Sequence, residues 1–133
     1  MRLLVCLLTL SGLSLPVLAE TPADFLSAYA RDAKAGNPAF AQLSSERGRQ
    51  FFFQTHGKEW SCTSCHTPNP AAVGKHAVTH KTIDPMAPAV NAARFTHMHK
   101  VEKWFKRNCN DVLGRACTAQ EKGDVLTYLL TIR

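Results

Sequence analysis

The sequence predicts a small all-α domain of about four helices, and three observations carry that prediction. Apolar residues recur at three- and four-residue spacing in four separate segments. No segment alternates apolar and polar residues as a half-buried strand would. Between the second and third helical segments lie 27 residues, 67–93, with four prolines and one glycine, which read as an ordered loop and not as strands. A loop of that length is uncommon in a compact domain unless it packs against a site.

Residues 1–19 read as a signal peptide. Arg2 supplies a short positive region, an apolar run follows from Leu3 to Leu10, and Val17 and Ala19 mark a cut before Glu20. The run is too short to span a bilayer, so no stable membrane insertion is expected. Export places residues 20–133 in the periplasm as one domain.

The first helix is expected from "TPADFLSAYARDAK", where Thr21 is a cap, Pro22 takes the first helical position and Phe25, Leu26 and Tyr29 share a face. "AGNP", residues 35–38, stops it. "SSERGRQFFFQTH" predicts a second helix capped by Ser44 or Ser45. A third covers roughly Thr96 to Leu113, with Val101, Trp104 and Phe105 turned inward and Gly114 as its stop. The fourth opens on "TAQE", a capping box from Thr118 to Glu121, and carries Val125, Leu126, Leu129 and Leu130.

The chain has 16 basic and 10 acidic residues, a formal charge of +6. Losing Arg2 with the leader makes this +5. No run of five like charges appears and aromatics are not interleaved with the cations, which argues against nucleic acid. The balance suits an acidic partner protein. Without Cys6, four cysteines remain: Cys62, Cys65, Cys109 and Cys117. In an oxidising compartment each needs a partner.

"CTSCH", residues 62–66, offers Cys62 and Cys65 for two thioether bonds to a porphyrin and His66 as the ligand beneath its iron. A zinc ribbon needs a second close cysteine pair, but Cys109 and Cys117 are separated by seven residues. A thioredoxin-like site needs a βαβ setting that this chain lacks. The motif therefore predicts one covalent haem c. "SSERGRQFF" resembles the N-terminal helix of class I c-type cytochromes, in which a glycine and an aromatic four residues on pack against the last helix. Gly48, Phe52 and Tyr128 fit those places, so a class I cytochrome c-like helical domain wrapped around the haem is expected.

The sixth ligand is less determined by the residues alone. Met86, Met98, His56, His76, His80, His97, His99 and Asn108 are all candidates. Methionine is the usual choice in electron carriers, and Met86 lies in the wrapping loop. Arg94, Lys75 or a neighbouring histidine would meet a propionate, the Pro70 carbonyl would accept the second N–H of His66, and Trp104 and Phe105 would cover the ring.

A longer set of motifs, "CxxCHTxNPxxVGK", "PxAPxVNxxRFT", "KVExxF", "CNDxLGxxC" and "EKxxxxxYLL", covers residues 45–131. With these the chain resembles the sphaeroides haem protein family and its relative cytochrome c double-prime. The resemblance implies that the residue before the first cysteine of "CNDxLGxxC" binds the iron. Here it is Asn108, which matches the asparagine subtype, and the resemblance pairs Cys109 with Cys117. It further implies that the asparagine leaves on reduction, opening a ferrous site to oxygen or nitric oxide. A dihaem cytochrome c and a membrane cytochrome are the implied electron donors. Oxygen or nitric oxide reduction would be the enzymatic extension, although no general acid stands out. The alternative is a plain electron shuttle with His66 and Met86 as permanent ligands.

Overall fold

The structure, a computed structural model, describes residues 19–133. The expected leader lies outside the described residues except for Ala19.

Five helices and one tiny hairpin make up the domain: α1 Pro22–Gly36, α2 Ser45–Phe53, α3 Thr63–His66, β1 Gly74–Lys75, β2 Thr82–Ile83, α4 Met98–Leu113 and α5 Ala119–Leu129. Four of these are the expected long helices. The fifth, α3, is a single turn formed by the attachment motif itself. The hairpin was not expected, because two antiparallel residue pairs, Gly74 with Ile83 and Lys75 with Thr82, are too short to leave an alternating pattern.

Local chemistry sets the helix ends. Asp24 accepts the Thr21 backbone N–H at 2.8 Å and opens α1. Ser44, not Ser45, caps α2, its hydroxyl accepting from the Arg47 N–H at 3.2 Å. Thr118 and Glu121 cap each other at the start of α5, and Arg115 braces Glu121 at 2.7 Å. Burial raises the Glu121 carboxyl, but the Arg115 and Thr118 hydrogen bonds outweigh it and hold the group below its usual range. Gly114, left-handed, closes α4.

The core is aromatic. Phe25 and Tyr29 of α1, Phe52 of α2, Phe95, and Val125, Leu126, Tyr128 and Leu129 of α5 form one buried cluster. Helices α2 and α5 cross in backbone contact at Gly48. A Cβ there would stand 1.9 Å from the Asp124 carbonyl oxygen. Phe52, one turn on, packs at 5.6 Å from Tyr128. Asp124, buried on α5, bolts the crossing. Its carboxylate accepts from the Ser44 N–H at 2.6 Å, Arg47 Nε at 2.8 Å and Arg47 Nη2 at 3.0 Å.

Helix α4 stands apart from this block. Among the described residues no other helix packs closely along it, although it is the longest helix and has an apolar stripe of Val101, Phe105 and Val112. Three ties hold it. Glu20 accepts the Met98 N–H at its start, Glu102 bonds to α1 and α5 in its middle, and the Cys109–Cys117 disulfide closes its end.

Candidate functional site

The site is built on α3. Thr67 leaves the turn at φ +61 and sends the chain into the long loop. The loop then returns over the turn at close range: a Cβ on Gly74 would lie 2.2 Å from the Cys65 carbonyl oxygen. Only glycine lets β1 pass there. The Ala77 N–H points to the Cys65 sulfur at 3.3 Å, so the hairpin covers that side of the motif.

Cys62 and Cys65 are free thiols in the structure, whereas Cys109 and Cys117 are joined with Cα atoms 5.6 Å apart. Burial pushes the Cys62 thiol up to about 12, keeping it protonated. Burial also pushes His66 down to about 4, helped by the positive charge of Arg94. At neutral pH the His66 imidazole is thus neutral and able to ligate a metal. Its Nδ1 is buried without a hydrogen-bond partner.

That last observation corrects one expectation. The Pro70 carbonyl does not orient His66, because it accepts the Met86 and Ala87 N–H groups at 2.8 and 3.0 Å. Backbone donors sixteen and seventeen residues downstream had the better geometry, and Pro70 instead pins the Met86 segment to the loop. The Met86 side chain packs against the aromatic core.

Asn108 lies half-buried on α4, one residue before Cys109, and its amide makes no hydrogen bond among the described residues. Trp104, one turn earlier, is a second correction: it is half exposed, with the Arg107 guanidinium 5.2 Å from its ring. It sits on the edge of the α4 stripe, not in it. Phe105, within the stripe, meets Tyr29 edge-on at 6.1 Å. Arg94 donates from Nε to the Pro85 carbonyl at 2.9 Å and from Nη2 to that of Asp84 at 2.6 Å, while Lys75 is exposed on β1.

The histidine candidates have other work. His76 Nδ1 accepts two backbone N–H groups inside the hairpin turn, from Val78 and Thr79, both at 3.2 Å. His56 bonds the Phe51 carbonyl at 2.8 Å. His80, His97 and His99 are exposed. Sequence reasoning missed Glu102 altogether, since its partners on α1 and α5 are distant in the chain.

The family model described as "Domain of unknown function (DUF1924)" matches residues 38–129. Cytochrome c'' of Methylophilus methylotrophus is 49% identical over 107 residues, 77% of this chain and 74% of that protein. The cytochrome c-type protein SHP of Cereibacter sphaeroides is 43% identical over 134 residues, 96% of each. The structure of oxidised SHP, described as an oxygen binding cytochrome c, superposes with a TM-score of 0.73 at 41% identity, covering 85% of this chain and 98% of that one. A solution structure of Methylophilus methylotrophus cytochrome c'', described as bearing on haem-ligand detachment, gives 0.71 at 46% identity, covering 83% and 92%.

These relatives imply haem c, and the residues present fit it. Two free thiols and a neutral histidine share one turn, and the buried Nδ1 of that histidine is unpartnered. Motif, fold and relatives therefore agree that this chain belongs to the DUF1924 family, among the c-type cytochromes related to cytochrome c'' and SHP.

Proposed function

We propose that the chain is an exported, single-haem cytochrome c whose sixth ligand, Asn108, leaves the iron on reduction and opens a site for oxygen or nitric oxide. In this reading residues 20–133 are the mature domain and residues 1–19 its leader. Cys62 and Cys65 carry the thioethers, and His66 is the permanent ligand. The carrying observation is the Asn108 amide: half-buried and without a hydrogen bond among the described residues, on a long helix along which no other described helix packs closely. The description of SHP as an oxygen binding cytochrome c supports the same reading.

Bound haem supplies a one-electron couple and a ferrous iron that takes diatomic ligands. The chain's part is to make one ligand strong and the other weak. His66, held neutral by burial, stays in both oxidation states. Asn108 offers a hard, uncharged amide oxygen, which suits ferric iron and holds softer ferrous iron poorly. Reduction thus vacates the position when diatomic ligands favour it. Met86, by contrast, is partly buried and packs against the apolar core, where methionine commonly serves as filler.

Anaerobic reduction followed by carbon monoxide tests this. The expected result is a high-spin ferrous spectrum and rapid carbon monoxide binding. A ferrous form that stays low-spin and ignores the gas would mean a permanent strong ligand, with Met86 the first to mutate.

Electrons would come from a dihaem cytochrome c and, behind it, a membrane cytochrome. The outer face of α4 suits an acidic donor. Lys100, Lys103, Lys106 and Arg107 are exposed there and form no ion pair among the described residues. Reversing Lys103 and Lys106 to glutamate is expected to slow reduction by an acidic donor protein about tenfold at low salt. The loss should shrink at high ionic strength, and reduction by a small uncharged reductant should be unchanged.

A further inference from the structure

We propose that Glu102 is the positioning residue that seats α4, and with it Asn108, against the rest of the domain. This rests on the assignment of Asn108 as a ligand.

The geometry is a three-way junction. Glu102 Oε1 accepts from the Tyr29 hydroxyl at 2.8 Å, which ties α4 to α1. Glu102 Oε2 accepts from Lys122 Nζ at 2.6 Å, which ties it to α5. The same ammonium lies 5.7 Å from the Tyr29 ring centroid, and Phe105 meets that ring edge-on one turn further along α4. Both carboxylate oxygens are therefore used, each on a different helix. Tyr29 is buried, and burial together with the adjoining carboxylate holds its hydroxyl above the usual range, so it remains a donor.

Elsewhere α4 rests on Met98, Val101 and Phe105 packed against the core, on the Met98 N–H donated to Glu20 at its start, and on the disulfide at its end. Between these, Glu102 supplies the side-chain hydrogen bonds to α1 and α5. Glu102 precedes Asn108 by six residues and sits about 120° round the helix from it. The junction therefore grips one flank of α4 while Asn108 faces from another. Rolling or lifting the helix at Glu102 would swing the Asn108 amide away from its place. Ligand distances in metal sites fall within about 0.2 Å of their usual values.

Glutamine at this position keeps the shape but removes the charge: its oxygen can accept from Lys122 while its NH2 donates to the Tyr29 oxygen. Both contacts survive, but each loses its charge assistance. The experiment compares the haem-loaded parent with Glu102→Gln, Tyr29→Phe and Asn108→Ala, using optical and paramagnetic spectra of the ferric state well below each melting temperature.

For Glu102→Gln the low-spin to high-spin ratio is expected to fall about fivefold to tenfold, the equivalent of the charge assistance removed from its two hydrogen bonds. Tyr29→Phe should move it the same way by less, and it keeps the test alive if Glu102→Gln does not fold. The positional role is overturned if Asn108→Ala changes the ferric spectrum while folded Glu102→Gln and Tyr29→Phe match the parent. If Asn108→Ala itself leaves the spectrum unchanged, the ligand assignment fails and this proposal goes with it.

Discussion

Asn108→Ala is expected to convert the ferric protein from predominantly low-spin to high-spin while leaving carbon monoxide binding to the ferrous form intact. The methyl group cannot ligate, and no other described polar side chain stands ready to replace it. His76 is occupied by the Val78 and Thr79 backbone, His56 bonds the Phe51 carbonyl, and His97 and His99 face solvent at the opposite end of α4. In the ferrous form, where the amide is detached, stability should change by less than about 1 kcal/mol, because it makes no hydrogen bond that its loss would break. Absorption and paramagnetic spectra read the first effect, and a thermal melt reads the second. A ferric spectrum identical to the parent would instead place the permanent ligand on Met86 and turn the protein into an electron shuttle.

Gly48→Ala is expected to have the largest effect on stability. In an isolated helix alanine is favoured over glycine by about 1 kcal/mol, so propensity alone predicts a gain. Here the added Cβ would fall 1.9 Å from the Asp124 carbonyl oxygen and 2.3 Å from its carbon. These are backbone atoms of α5 and have no rotamer to escape into. The two helices must part, and with them go the Asp124 bonds to Ser44 and Arg47 and the Phe52–Tyr128 contact. Overpacking of this kind costs about 3 kcal/mol or more, which outweighs the propensity gain. A fall of roughly 10–20 °C in the melting temperature follows for a domain of this size. An unchanged or raised melting temperature would show that α2 and α5 do not touch at Gly48.

The long helices were legible because each carries its own signals. Thr21, Ser44 and the Thr118–Glu121 pair mark starts, Gly114 marks a stop, and the apolar spacing between them is helical. The attachment turn was legible for a different reason: its chemistry needs Cys62, Cys65 and His66 in one short stretch. What could not be read depends on partners far off in the chain. The Glu102 junction joins residues 73 and 20 positions apart, and the Asp124 bolt spans 80 from Ser44. Each of those residues reads locally as a solvated charge. The Pro70 carbonyl and the exposure of Trp104 were misjudged for a related reason. Helical periodicity ranks positions by angle, but a carbonyl's partner and the edge of a buried stripe are set by what packs opposite.

If Asn108 leaves the iron as proposed, the disulfide beside it would also shape the kinetics of the site. The chain keeps a departed Asn108 close, and the Cys109–Cys117 link narrows how far its segment can move, so the amide would remain a tethered competitor. Its return would be a first-order event, at an effective concentration in the millimolar range for a short leash, whereas an incoming gas would arrive by second-order collision. The apparent affinity for a gas would then be the intrinsic affinity divided by a fixed internal competition, and observed binding rates should level off as gas concentration rises. Occupancy would be gated by the rate at which the chain lets go.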